Sequence, residues 1–163
     1  MLEAWPEAAA LRAWRDATLY RLVLRASQAE RRETLARLRQ RGYTDVTHAD
    51  TALLASLDTA DTTISVLARR CGITRQAASQ QVALLVRKGY VTREPDPSDS
   101  RAVLVQRTDR GHALLADALQ VVAGIETGYA EHLGAERLAA LKELLADLLT
   151  HSDATGALGA GGP

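Results

Sequence analysis

The segment Thr74-Arg-Gln-Ala-Ala-Ser-Gln80 carries the side chains of this sequence best suited to chemistry with a partner. Drawn as a helix, it places Arg75, Gln76, Ser79 and Gln80 on one side, and Ala78, Val82 and Leu85, at i, i+4 and i+7, on the other. The polar set is short or amide-bearing and contains no acid. A glutamine amide can make two hydrogen bonds to the major-groove edge of adenine, and serine or threonine hydroxyls can reach bases or phosphates. Thr74 fits the N-cap position, which turns the helix N-terminus toward a phosphate. An ordinary solvated helix of this length mixes Glu with Lys or Arg for pairing at i, i+4, and this one does not.

A second stretch with chemical potential is Glu94-Pro-Asp-Pro-Ser-Asp-Ser-Arg101, set between Tyr90-Val91 and Ala102-Val-Leu-Val105. Pro95 and Pro97 donate no hydrogen bonds, so they are expected to hold the loop outside the strand pairing. Asp96 and Asp99 can bond loop amides and orient Arg93 or Arg101. A guanidinium held in this way suits a phosphate or a narrow minor groove. The charge distribution agrees. From Thr62 to Arg93 there is no Asp or Glu, yet the interval holds six basic residues. Extended to Arg110, it has nine basic against four acidic residues, or +5, while the rest of the chain has eleven against sixteen, or −5. A basic module inside a chain of zero net charge points to a polyanionic partner.

Other chemistries have little support. There is no glycine-rich phosphate loop, no Gly-x-Ser-x-Gly elbow and no His-Glu-x-x-His, so no enzyme is expected. The four histidines include no i, i+4 pair, and no Cys-x-x-Cys exists, so no metal and no cofactor is expected. The single cysteine, Cys71, excludes an internal disulfide. It sits at an apolar helical position and is expected to be buried, although Arg69 and Arg70 are near enough in sequence to lower a thiol pKa. No apolar run reaches the roughly 20 residues that span a bilayer, and the N-terminus lacks a basic-then-apolar leader, so a cytoplasmic location without membrane attachment is expected.

The elements that position these residues follow from periodicity. Aromatic content is 4% with no Phe, so Leu, Val and Ala must pack the core, which favours helices. Ala8, Leu11 and Trp14 mark a first helical piece after Pro6. A long helix over residues 17–41 carries Leu19, Leu22, Val23, Leu35 and Leu38 and ends at Gly42. Thr47-His-Ala-Asp50 has the form of a capping box and starts a short helix bearing Leu53, Leu54 and Leu57. A helix over Thr63–Cys71 closes at Gly72, and one over Arg75–Lys88 closes at Gly89. Two helices joined by Cys71-Gly-Ile-Thr74 have helix-turn-helix spacing. Tyr90–Glu94 and Arg101–Arg107 form a hairpin. Thr108 caps a further helix, and the leucine-rich Glu136–Leu149 helix is too apolar to stand alone, which assigns it and the N-terminal helices to a dimer interface.

Leu67-Ala-Arg-Arg-Cys-Gly-Ile-Thr, Lys88-Gly-Tyr-Val and Asp96-Pro-Ser-Asp-Ser-Arg-Ala-Val-Leu-Val, with Asp99-x-Arg101 and Thr108-x-x-Gly111, resemble the MarR family of bacterial winged-helix regulators. The resemblance is strongest over 45–112. It implies a mainly α fold with a small two- to three-stranded β-wing, a winged helix-turn-helix flanked by N- and C-terminal dimerisation helices. The expected division is 1–44 and 111–150 for dimerisation, 45–110 for DNA binding, and 151–163 as a disordered tail. It further implies a homodimer on a pseudo-palindromic operator in double-stranded DNA, acting as a repressor, often relieved by a small phenolic or aromatic carboxylate ligand or by oxidation. DNA contacts are expected from Thr74, Arg75, Gln76, Ser79, Gln80, Arg93, Asp99 and Arg101. Tyr20, Tyr43 and His48 are the candidates for polar ends of an apolar ligand cavity. The alternatives are a winged helix used for protein binding, a redox-responsive regulator through Cys71, or a zinc-responsive one through His48, Asp109 and His112. The family's peroxide-sensing cysteine lies near the start of the first long helix, where this chain has none. Two positions depart from the family pattern: Arg107 replaces a usual apolar residue, and Ser100 stands where a second basic residue is common.

Overall fold

A computed structural model of the chain describes residues 8–58, 62–97 and 102–154. The elements run α1 (Ala8–Ala17), α2 (Leu19–Gln40), α3 (His48–Ala55), β1 (Thr62–Thr63), α4 (Ile64–Cys71), α5 (Arg75–Arg87), β2 (Val91–Pro95), β3 (Val103–Arg107), α6 (Asp109–Leu133) and α7 (Ala135–Ala154). The chain divides into two units at Val121 and Val122.

Most of the chemistry lies in the first unit. Local signals set its helix ends. Thr47 and Asp50 close a reciprocal capping box on α3, satisfying two amides that the first turn leaves unpaired. Thr63 accepts from the Val66 amide to cap α4, and Thr74 accepts from the Ala77 amide to cap α5. Gly72 stops α4 in the left-handed conformation, at φ 63° and ψ 33°, which a residue with a Cβ rarely adopts. The α2 helix begins two residues later than its periodicity implies, because Thr18 takes an extended conformation and separates it from α1.

The core is aliphatic, as the lack of Phe requires. Leu38 of α2, Leu53 and Leu54 of α3, Leu67 of α4 and Leu85 of α5 are all buried. Burying each such leucine stabilises the fold by about 1.5–3 kcal/mol. The antiparallel sheet has the order β1-β3-β2. Thr62 pairs with Val105, Val91 with Arg107, and Pro95 with Val103.

Three expectations about these elements change. Thr63, expected to begin a helix, instead forms with Thr62 the short strand β1. Pro95, expected outside the pairing, is the last paired residue of β2. That is tolerated because β2 is an edge strand and the loop is closed by the next amide, Asp96 N–H to Ala102 O at 3.1 Å. The strands also start later than expected, at Val91 and Val103.

In the second unit, the end of α6 and α7 are joined through Gly134, at φ 90°. Lys142 Nζ pairs with Glu126 at 3.0 Å. The α7 helix leaves Leu141, Leu144, Leu148 and Leu149 exposed, which is unusual for large apolar residues at helical spacing. It continues to Ala154, so the first residues assigned to the tail are helical. Residues 155–163 lie outside the described residues. No helix among those described is long and apolar enough to cross a membrane.

Candidate nucleic-acid interface

The turn between α4 and α5 is tight. After Gly72, the Ile73 amide donates to Ala68 O at 3.0 Å, and the chain enters α5 directly through the Thr74 cap. Ala78, Val82 and Leu85 bury one face of α5 completely. Arg75, Gln76 and Gln80 are exposed on the other, as expected, while Ser79 is half-buried. Arg93 is exposed on β2. Asp99 and Arg101, the expected tip of the wing, lie outside the described residues.

Behind this face sits a polar scaffold that residue spacing does not reveal. Asp50, read only as a capping acid, is fully buried. Its Oδ2 accepts from Thr47 N, Thr47 Oγ1 and Lys88 Nζ, each at 2.7 Å, and its Oδ1 accepts from Gln81 Nε2 at 2.7 Å. A buried carboxylate needs this number of donors, since an unpaired one would cost several kcal/mol. The signal available in the sequence was the pair of polar residues, Gln81 and Lys88, flanking the apolar stripe.

Arg107, the departure from the family pattern, closes the other side. Its Nη1 donates to Leu54 O at 2.8 Å and Leu57 O at 2.9 Å, and its Nη2 donates to Asp58 O at 2.9 Å. These are carbonyls at and beyond the C-terminus of α3, where a cation also meets the negative end of the helix dipole. Arg70 reaches the same loop, with Nη1 to Ser56 O at 2.8 Å and Nη2 to Asp58 at 2.9 Å.

Two clusters bind the segment after α2 to α6. Tyr90 is buried beneath the Arg110 guanidinium, which lies 4.6 Å from its ring centre, and its hydroxyl donates to Asp45 Oδ1 at 2.8 Å. Burial pushes the Tyr90 phenol pKa up, against the Arg110 hydrogen bond that lowers it. Tyr43 Oη donates to Asp117 Oδ2 at 2.6 Å, and Arg41 pairs with the other oxygen of the same carboxylate. The Asp117 bond, with burial second, raises Tyr43 to about 12, and Asp117 is lowered chiefly by Tyr43.

The family-like Thr108-x-x-Gly111 has a geometric basis here. Thr108 Oγ1 donates to Gly89 O at 2.7 Å and accepts from the Gly111 amide at 3.1 Å. A Cβ on Gly111 would stand 2.1 Å from the Tyr90 carbonyl oxygen, so only glycine fits.

The remaining candidates separate. Tyr20 is exposed on a shallow apolar groove of about 430 Å³ lined by Leu19, Tyr20, Val23, Leu24 and Ser27. Neither Tyr43 nor His48 contributes to that groove, and the Tyr43 hydroxyl is engaged by Asp117. Burial, then Arg31, lowers the His48 pKa. Cys71, expected to be buried, is only half-buried, with its thiol 3.4 Å from Ser56 Oγ. The α4 helix turns its buried side through Leu67 and Ala68, which leaves the last residue at the rim. Among the described residues, no group of three His, Cys, Asp or Glu side chains is placed to hold a metal ion, the trio of His48, Asp109 and His112 included.

Comparison with known proteins places this geometry. The MarR family profile matches residues 44–102. The crystal structure of apo MarR from E. coli is 30% identical, with a TM-score of 0.67, covering 82% of this chain and 98% of that one. A cysteine-to-serine variant of E. coli MarR complexed with operator DNA is 29% identical, with a TM-score of 0.72, covering 84% and 97%. The transcriptional repressor CouR, bound to a 23-mer DNA duplex, is 25% identical, with a TM-score of 0.72, covering 90% and 99%. No match was found among curated protein sequences. On the identity to E. coli MarR across nearly the whole of that protein, and on the winged helix-turn-helix that carries it, the chain belongs to the MarR family of DNA-binding transcription regulators.

Proposed function

We propose that this regulator, which is not an enzyme, acts as a homodimer on a pseudo-palindromic operator, with the α5 helix of each protomer in a major groove and each wing on the flanking backbone or minor groove. The observation that carries the reading is the exposed, acid-free face of α5, with Arg75, Gln76 and Gln80 opposite the buried Ala78, Val82 and Leu85. The chain's likeness to a MarR variant complexed with operator DNA, and to CouR on a DNA duplex, supports duplex DNA as the partner. Thr74 and Arg75 meet phosphates, Gln76 and Gln80 meet base edges, and Arg93 with Arg101 and Asp99 serves the wing. The exposed leucines of α7 and the apolar stretch of α2 supply the dimer surface. A protein seated on an operator can block transcription, and the likeness to the transcriptional repressor CouR favours repression over activation. Release by a small phenol or aromatic carboxylate rests on the groove beside Tyr20, whose apolar lining suits a ring.

Selection from random duplex DNA tests the reading. A two-fold symmetric consensus is expected, bound with an affinity that falls steeply as salt rises. Recovery of no consensus, with salt-insensitive binding of another protein instead, would leave a protein-binding module.

A further inference from the structure

Gln76 and Gln80 can address base edges only if α5 keeps its rotation about its own axis. The packed face of α5 does not secure this alone. Ala78, Val82 and Leu85 resist removal from the core, but apolar contacts carry no direction. The directional restraint comes from Asp50. This carboxylate is fixed by the cap of α3, through the Thr47 amide and hydroxyl, and is fully buried. Its Oδ1 holds the Gln81 amide and its Oδ2 the Lys88 ammonium, both at 2.7 Å. Gln81 and Lys88 are seven residues apart, two turns or roughly 10 Å along the axis, so one group of another helix holds α5 both within its length and at its C-cap. The two restraints differ in kind. An ammonium is a point charge on a flexible stem and follows modest displacement, whereas the planar amide of Gln81 bonds in a set direction.

We propose that Gln81 is a positioning residue for sequence reading: tied to Asp50, it sets the rotation of α5 and so aims Gln76 and Gln80 at their base pairs. Gln81 is half-buried with its amide turned to Asp50, and it acts through the helix without touching a base. The inference rests on the DNA-binding reading above and deepens it.

The test uses Gln81→Met in the full-length protein. Methionine keeps the length and the apolar stem and removes the amide, while Asp50 retains Thr47 and Lys88. The base pairs served by Gln76 and Gln80 are first located with Gln76→Ala and Gln80→Ala on the selected operator. Affinity is then measured for that operator, for duplexes altered at either of those base pairs, and for unrelated duplex, at a temperature where circular dichroism shows full folding. A bidentate contact discriminates by about 5- to 150-fold, and a partial loss of aim should lower discrimination about 3- to 10-fold at both positions together. Affinity for unrelated duplex and the salt slope should stay unchanged. A loss of thermal stability with discrimination intact overturns the proposal, since Gln81 is then structural only. A loss at one base pair alone also overturns it, because Gln81 would then touch that base itself. If the unaltered protein shows no preference among duplexes, the DNA-binding reading falls together with this one. Should Gln81→Met fail to fold, Gln81→Asn, too short to reach Asp50 from the same backbone, is read in the same way.

Discussion

The phenol of Tyr43 donates to Asp117 Oδ2 at 2.6 Å, and this bond ties the segment following α2 to α6. It also couples the two groups in protonation. The Tyr43 pKa is raised above its unfolded value of about 10, so its contribution to stability is complete below pH 10 and is lost as pH rises toward about 12. The Asp117 pKa is lowered, chiefly by the same bond, so its contribution is present above about pH 4 and is lost as pH falls through its folded value. Tyr43→Phe should cost about 1 kcal/mol at neutral pH and flatten the stability curve at both ends. Thermal unfolding across pH, for both proteins, measures this. Parallel curves would show that the bond contributes nothing.

Gly111→Ala should be strongly destabilising. Alanine gains about 1 kcal/mol over glycine inside a helix. Here the added methyl would lie 2.1 Å from the Tyr90 carbonyl oxygen, which already accepts from the Thr108 amide. Backbone on both sides leaves nothing flexible to yield, and overpacking costs about 1–3 kcal/mol or more. Denaturant unfolding should give a net loss of about 2 kcal/mol, the upper end of that cost less the helix gain. A more stable variant would show that α6 can shift away from β2.

Replacing Arg107 with leucine, toward the apolar residue usual in the family, should destabilise this chain. The guanidinium bonds the carbonyls of Leu54, Leu57 and Asp58, and leucine would leave them without that donor. Hydrogen bonds from a charged donor are worth about 1.5–3 kcal/mol, which exceeds the gain from a half-buried leucine. Calorimetry should show a lower Tm. An equal or higher Tm would mean that water satisfies these carbonyls.

Gln80→Ala should lose about 1–3 kcal/mol on the selected operator and relax preference at one base pair. Gln80 is exposed one turn from Gln76 on the acid-free side of α5, so its removal should leave folding intact. Fluorescence anisotropy on operator and altered duplexes separates the outcomes. An equal loss on every duplex would make Gln80 a backbone contact.

Arg101→Ala should weaken binding, lower the salt slope by about one unit per wing and leave the half-site preference unchanged. Asp99→Ala should show a smaller loss of the same form, and the two together less than their sum. Titration of affinity against salt reads all three. Unchanged affinity and slope for Arg101→Ala would remove the wing from the interface.

Local physics made much of this protein legible without coordinates. The apolar stripe Ala78, Val82 and Leu85, the Thr47 box, the Thr74 cap and the Gly72 stop act within one or two helical turns. Residue spacing therefore contains them, and with them the helix-turn-helix and its exposed reading face. What joins distant segments was not contained in that spacing. Gln81 meets Asp50 across 31 residues, Arg107 meets Leu54 across 53, and Tyr43 meets Asp117 across 74. None of those partners can be named from the local sequence, because periodicity states which face a residue occupies and not what lies opposite. The same limit explains Thr62, which is strand only because Val105 returns beside it, and Cys71, whose apolar helical position lies at the rim of its helix and so stays half-buried. Chain return, and the demand that each buried polar group find a partner, was decided by the tertiary structure alone.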